Sequence, residues 1–297
     1  EIVKETFGVD EVDFHEIKVN PVSVNHFTWL TSATYNGIDL HPYYKEFCEK
    51  YKDTGYCKGR NIDDNWMNNN FRCEEKVKMD LFLKFGVIAA AGDRHLSEFC
   101  EGKWYLESPE RVKDMHFNLT SVKWRKEELQ ERLARSARLV SGEEAVKINE
   151  TGEDGANQIR ALLGLHEFVT NVNIPNYGQI PNLPIGAVVE TNAVFRNGNL
   201  TPVFAGPVPE SIYPLVSRIC GEQEIVSEAI ANRDLNKIFT AFANDPLVTC
   251  SLDDAKKLFK EMIDNKSKKD RYDHNFDDGY EHAYYVNIYS LSGIQLG

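Results

Sequence analysis

The chain is short of positive charge: 34 Lys and Arg stand against 46 Asp and Glu, a formal net charge of −12. Such a surface has no net field to attract phosphate, which argues against nucleic acid or an anionic membrane as partner, though it leaves room for a local cationic pocket. Long apolar runs are also missing. The longest covers residues 87–91, far below the ~20 residues that span a bilayer. The six cysteines (Cys48, Cys57, Cys73, Cys100, Cys220 and Cys250) include no pair at the C-x-x-C spacing of zinc sites. They read as reduced thiols of a cytoplasmic protein. No Gly-rich loop follows a strand, so a dinucleotide-binding fingerprint is lacking. No secretory signal and no internal repeat are visible. What is present is ordinary for a folded protein: 297 residues, 42% hydrophobic and 27% charged, enough for a full core in one large or two medium domains.

Residues 1–9 read as the tail of a helix, and 11–24 as strand with a turn near Asn20-Pro21. Residues 46–73 are polar and Asn-rich and read as a surface excursion. Val77, Leu81, Phe85 and Ile88 recur at helical spacing and predict a helix over 77–91. Leu129, Leu133, Ala137 and Val140 form an apolar stripe on a second helix over 123–140, stopped by Ser141-Gly142. A short helix over 155–163 closes at Gly164. Residues 168–174 are strand-like, and 187–190 and 193–195 continue in strand. Asn197-Gly198 is a hairpin turn with its return strand at 200–204. Residues 210–265 are helical in at least three pieces, the last opened by a capping-box-like Ser251 and Asp254. Residues 266–297 shift to a charged, aromatic tail. The pattern predicts an α+β domain over 1–265, a mixed or antiparallel sheet packed by helices, with no doubly wound sheet.

Three segments carry chemistry. In Ser23-Val24-Asn25-His26-Phe27-Thr28-Trp29, a neutral imidazole at His26 can ligate a divalent metal and the Trp29 indole can stack on a sugar face; the bland alternative is an ordinary histidine beside apolar residues. Asp93-Arg94-His95, with Glu98 one helical turn beyond His95, offers an acid or base, a carboxylate clamp and an imidazole. Its alternative is an ion-paired helix start. The segment 171–184 holds four Asn and three Pro, so it requires an ordered loop whose amides find partners, in a ligand or in tight turns. His274, Asp277, Asp278 and His282 lie at irregular spacing, as in a solvated tail.

Together these segments resemble the carboxy-terminal half of glycoside hydrolase family 4, glycosidases that use NAD and manganese, from about Val9 to about Asp264. The Gly-Asp-Arg-His form is similar to the branch acting on galacturonides and glucuronides. The resemblance implies a substrate domain like the carboxy-terminal domain of lactate dehydrogenase. It also implies redox-assisted elimination rather than two opposed carboxylates: NAD takes hydride from C3 of the sugar, a base removes the acidified C2 proton, the aglycone leaves, water adds and the hydride returns. A divalent metal polarises the sugar oxygens. By this resemblance His26 is the metal ligand, Asp93 and His95 are the acid and base candidates, and Asn25, Arg94 and Trp29 contact the sugar, with Arg94 on the C6 carboxylate. The family's amino-terminal NAD domain and its Cys metal ligand have no counterpart here. The expectation is therefore a fragment, inactive alone and weak in metal affinity, of a full-length homo-oligomer. A galactosidase or glucosidase of the same family, a malate- or lactate-dehydrogenase-like oxidoreductase and a non-catalytic oligomerisation module are the alternatives.

Overall fold

A computed structural model of the chain describes residues 2–13, 16–57, 72–147 and 154–270. Helix α1 (Ile2–Phe7) leads to strands β1 (Ile17–Val24), β2 (Phe27–Tyr35) and β3 (Ile38–Asp39), then to helices α2 (His41–Tyr51) and α3 (Lys76–Phe85) and strand β4 (Ile88–Ala89). Helices α4 (Asp93–Phe99), α5 (Gly102–Tyr105), α6 (Pro109–Asp114), α7 (Val122–Ser141) and α8 (Gly155–Leu162) follow. Strands β5 (Phe168–Pro175), β6 (Val188–Arg196) and β7 (Asn199–Pro202) precede helices α9 (Tyr213–Asn232), α10 (Leu235–Asn244) and α11 (Leu252–Asp270).

All the strand pairings are antiparallel, in the order β3-β2-β1-β6-β5, with β4 added on β2 and β7 on β6. The class is α+β, and the described residues contain no parallel crossover of the kind that builds a dinucleotide site. Pro21 does not break β1. The pairing register with β2 shifts between Asn20 and Pro21, so the missing donor is absorbed by a bulge and not by a turn. The Asn197-Gly198 hairpin forms as the sequence suggests, with φ of 46° and 74°. A second two-residue hairpin, Asn25-His26 between β1 and β2, has φ of 49° and 63°. Positive φ at both central residues is the type I′ geometry that matches strand twist, and a histidine there is uncommon.

Three expected elements differ. Residues 46–51 belong to α2, whose Tyr44 and Cys48 are buried; the polar composition hid a packing helix, and residues 58–71 of the supposed excursion lie outside the described ones. The helix expected over 77–91 stops at Gly86, which takes φ 74° and caps it. Ile88 then enters β4 against Leu30. The two strand pieces expected in 187–195 are one strand, β6.

The main core joins Val22, Val24, Phe27 and Trp29 of the first hairpin to Leu81, Leu96, Phe117, Val189 and Ile219. A smaller one lies between α2, α3 and the far end of β2, around Ala33, Tyr44, Met79 and Phe82. Burying the β1–β2 hairpin on its core face fixes the position of its tip, which projects beyond the sheet. In contrast, α7 is capped by Ser121, whose Oγ accepts from Trp124 N at 3.2 Å, yet buries no residue. Its stripe is open to solvent, with Leu133 56% and Val140 90% exposed.

Candidate active site at the β1–β2 hairpin tip

His26 stands exposed at the hairpin tip because the left-handed turn points it away from the core that takes Val24 and Phe27. Facing it is His95 on α4: the two rings stack with centroids 5.5 Å apart and 17° between planes. Behind His95, one turn along the helix, Glu98 places Oε2 3.3 Å from Nδ1. A carboxylate at Nδ1 favours the tautomer that carries its proton there, leaving Nε2 unprotonated for proton transfer or metal binding. Asn25, beside His26, opens onto a cleft shared with Glu98, Glu222, Asp245 and Leu247.

The cleft floor is acidic. Burial, then the charge of Asp245, pushes the Glu222 carboxyl up to about 8, with Arg218 opposing. Burial raises Asp245 to about 6, against the hydrogen bond it accepts from Leu247 N at 2.8 Å. Arg218 donates to Glu101 across 2.5 Å, but its buried Nε and Nη2, and Oε1 of Glu222, have no hydrogen-bond partner. Glu222 and Asp245 escaped the reading of the sequence. The available signal was a glutamate inside the apolar stripe of α9, between Ile219 and Val226, both buried; Asp245 lies in a turn and has no local signature.

The structure thus brings His26, His95 and Asn25 together with Glu98. It does not bring Asp93 or Trp29 to them. Asp93 is fully buried at the first position of α4 and accepts from Lys78 N at 3.1 Å. Residues two apart on a helix point to different faces, so His95 faces outward while Asp93 faces the core, and Asp93 cannot serve a solvent-borne sugar. Trp29 is likewise fully buried, edge-on to Phe27 at 5.2 Å. The alternation of β2 sends it into the core, and the expected stacking on a sugar is corrected to a packing role. Arg94 is half-buried and donates from Nη1 to Thr120 Oγ1. Of the segment 171–184, expected to be an ordered loop, residues 171–175 belong to strand β5 and the rest forms the loop. Buried Asn176 donates from Nδ2 to the carbonyls of Ile180, Leu183 and Pro184, and its Oδ1 accepts from the amides of Gly178 and Ile180. Tight turns account for Asn176, whereas Asn171 donates to Glu190 on β6 and Asn182 pairs with the backbone of Val208. The His274–His282 segment lies outside the described residues.

The exposed imidazole of His26 can ligate a divalent cation, with His95 as its neighbour. Nothing in the described fold suits NAD: the sheet is antiparallel and no Gly-rich turn leads from a strand to a helix amino terminus.

Residues 22–248 match the family 4 glycosyl hydrolase C-terminal domain. The chain is 54% identical over 261 residues to an alpha-galacturonidase of Thermoanaerobacterium saccharolyticum, covering 88% of this chain and 56% of that one. It is 42% identical over 264 residues to an alpha-galacturonidase of Bacillus subtilis, covering 89% and 57%. It therefore spans about half the length of the curated relatives it matches. The crystal structure of a Bacillus subtilis protein assigned as a glucosidase superposes with a TM-score of 0.80 at 41% identity, over 88% of this chain and 58% of that one. A Thermotoga maritima 6-phospho-beta glucosidase, solved with manganese, NAD⁺ and glucose-6-phosphate, shares the fold at TM-score 0.60 and 18% identity, over 90% and 56%. The domain is of the lactate-dehydrogenase carboxy-terminal type expected from the sequence, and the chain belongs to glycoside hydrolase family 4, of which it carries the C-terminal domain.

Proposed function

We propose that this chain is the sugar- and metal-binding part of a glycosidase that cleaves α-linked uronides, galacturonides foremost, in carbohydrate breakdown. The observation that carries the reading is the stacked His26–His95 pair backed by Glu98 at the mouth of the cleft. The names of the relatives at 42–54% identity support the uronide.

In this reading His26 holds the manganese ion, which when bound polarises the sugar oxygens and makes the adjacent C–H more acidic. His95 is the base. Glu98 keeps its Nδ1 protonated, so Nε2 receives the C2 proton, and the same pair disperses the resulting positive charge. Asn25 hydrogen-bonds a sugar hydroxyl at the cleft rim. Arg94, one residue before His95, holds the C6 carboxylate by the fork of its guanidinium. Glu222, half-buried with its carboxyl raised to about 8, donates a hydrogen bond to a ring hydroxyl. NAD binding falls to parts of the protein other than those described. Residues 1–265 form the substrate domain and 266–297 an appended tail. The full-length protein is a cytoplasmic homo-oligomer, and the uncovered stripe of α7 gives one surface for such contacts.

Kinetics on the full-length enzyme test the substrate. Arg94→Ala is expected to cost roughly 2–5 kcal/mol in kcat/KM on an α-galacturonide, the range for breaking a buried charge pair, and far less on the neutral α-galactoside. Equal losses on both would make Arg94 a scaffold residue and remove the preference for uronides.

A further inference from the structure

On the core side of α4, away from the His26–His95 pair, Cys73, Glu75 and Asp93 converge. One ligand atom from each lies within 4.8 Å of the others, and this is the group of three so placed among the described residues. The Cys73 thiol points at Glu75 Oε1 across 3.8 Å. Cys73 is itself fixed by an antiparallel bridge to Phe117. Asp93 is fully buried, and its Oδ2 has no hydrogen-bond partner. An unpaired buried carboxylate oxygen is costly in a folded protein, and it is aimed into the same small space as the thiol and the second carboxylate. Glu75 also keeps an ion pair with Lys78. None of these residues takes part in the proposed chemistry at the hairpin tip.

We propose that Cys73, Glu75 and Asp93 form a structural site for a borderline divalent cation, Zn²⁺ foremost. A thiolate with two carboxylates selects zinc over the hard cations Mg²⁺ and Ca²⁺, and it differs from the imidazole site expected to take manganese. Bonds of about 2.0–2.3 Å require the three atoms to draw together from their present spread to tetrahedral edges of about 3.5 Å, which side-chain rotation at Cys73 and Glu75 supplies. Water or a further group completes the shell. On ligation the Cys73 proton passes to solvent, and Lys78 is released from Glu75. The ion then ties three pieces of backbone together: the strap carrying Cys73, the start of α3 and the start of α4. It holds the base of the helix that presents His95 without touching substrate.

The test is metal titration of the demetallated full chain, read by thiolate-to-cobalt charge-transfer absorption and by alkylation of each cysteine with and without Zn²⁺. The expected result is one equivalent of Co²⁺ bound with a near-ultraviolet thiolate band, displaced by Zn²⁺, and selective protection of Cys73 from alkylation. Cys73→Ser abolishes the band, Asp93→Asn keeps it but weakens binding at least about tenfold, and His26→Ala changes neither. The alkylation arm needs no variant, so a folding defect in Cys73→Ser leaves the question decidable. Absence of a thiolate band with Cys73 unprotected, or a band that survives Cys73→Ser or is lost in His26→Ala, overturns the site.

Discussion

At the scale of single residues, the contrast between His26 and Trp29 shows how three positions along the chain separate two fates. Both sit in one short motif and both were read as ligand-facing. The turn takes His26 outward to its 5.5 Å stacking with His95, and the pleat takes Trp29 into the core, where its side chain is among the largest that are fully buried. Trp29→Ala is therefore expected to cost about 3–5 kcal/mol of stability by leaving a cavity, measured by denaturant titration. His26→Ala, in the full-length protein, is expected to abolish manganese-dependent turnover while leaving NAD binding largely intact, which fluorescence titration with the cofactor checks. Loss of NAD binding instead would assign His26 a different role. His95→Ala is expected to lower kcat by about 10²–10⁴-fold, the usual worth of a general base.

At the scale of elements, the two hairpins and the exposed helix carry different information. Asn197-Gly198 announces its turn because Gly takes positive φ at no cost; Asn25-His26 does not, because the same geometry there is imposed by pairing of Val24 with Phe27. The helix α7 was legible down to its stop at Ser141-Gly142, while its Ser121 cap came from the structure, and nothing in its sequence says what covers its stripe. Since this chain leaves Leu133 exposed, Leu133→Glu is expected to change the stability of the chain by no more than about 0.5 kcal/mol. Asn176→Ala lies at the other extreme. It leaves three carbonyls and two amides of the loop without their buried partner, and a loss on the order of 2–4 kcal/mol is expected at the scale of a buried unsatisfied group. Thermal unfolding of the two variants side by side checks both.

At the scale of the whole molecule, an acidic chain buries carboxyl groups whose protonation favours folding. Asp93 and Asp245 are raised to about 6, and Glu222 to about 8, in each case chiefly by burial. A carboxyl raised in the folded state binds protons that the unfolded state has released. Its contribution is full below the unfolded value and is lost as pH rises through the folded one. Stability should therefore decline from about pH 6 to pH 8, with Glu222 the group responsible in that window. Glu222→Gln is expected to flatten the decline, recovering roughly 1–3 kcal/mol at pH 8. Urea unfolding at pH 6, 7 and 8 measures it, and an unchanged slope in the variant would place the proton elsewhere.

The sequence by itself determined the α+β class, the three closing helices, the Asn197-Gly198 hairpin and the family, because these rest on local periodicity, turn chemistry and short motifs. It also singled out His26, His95 and Glu98. Only the tertiary structure decided which reactive residues share a wall. Helix geometry turned Asp93 to the core two residues before His95 faced out, strand alternation buried Trp29, and α9 with the turn at Asp245 supplied carboxylates from more than a hundred residues away. Those choices depend on which face of each element meets the core. That is a property of packing between distant segments, and no window of sequence around Asp93, Trp29, Glu222 or Asp245 contains it.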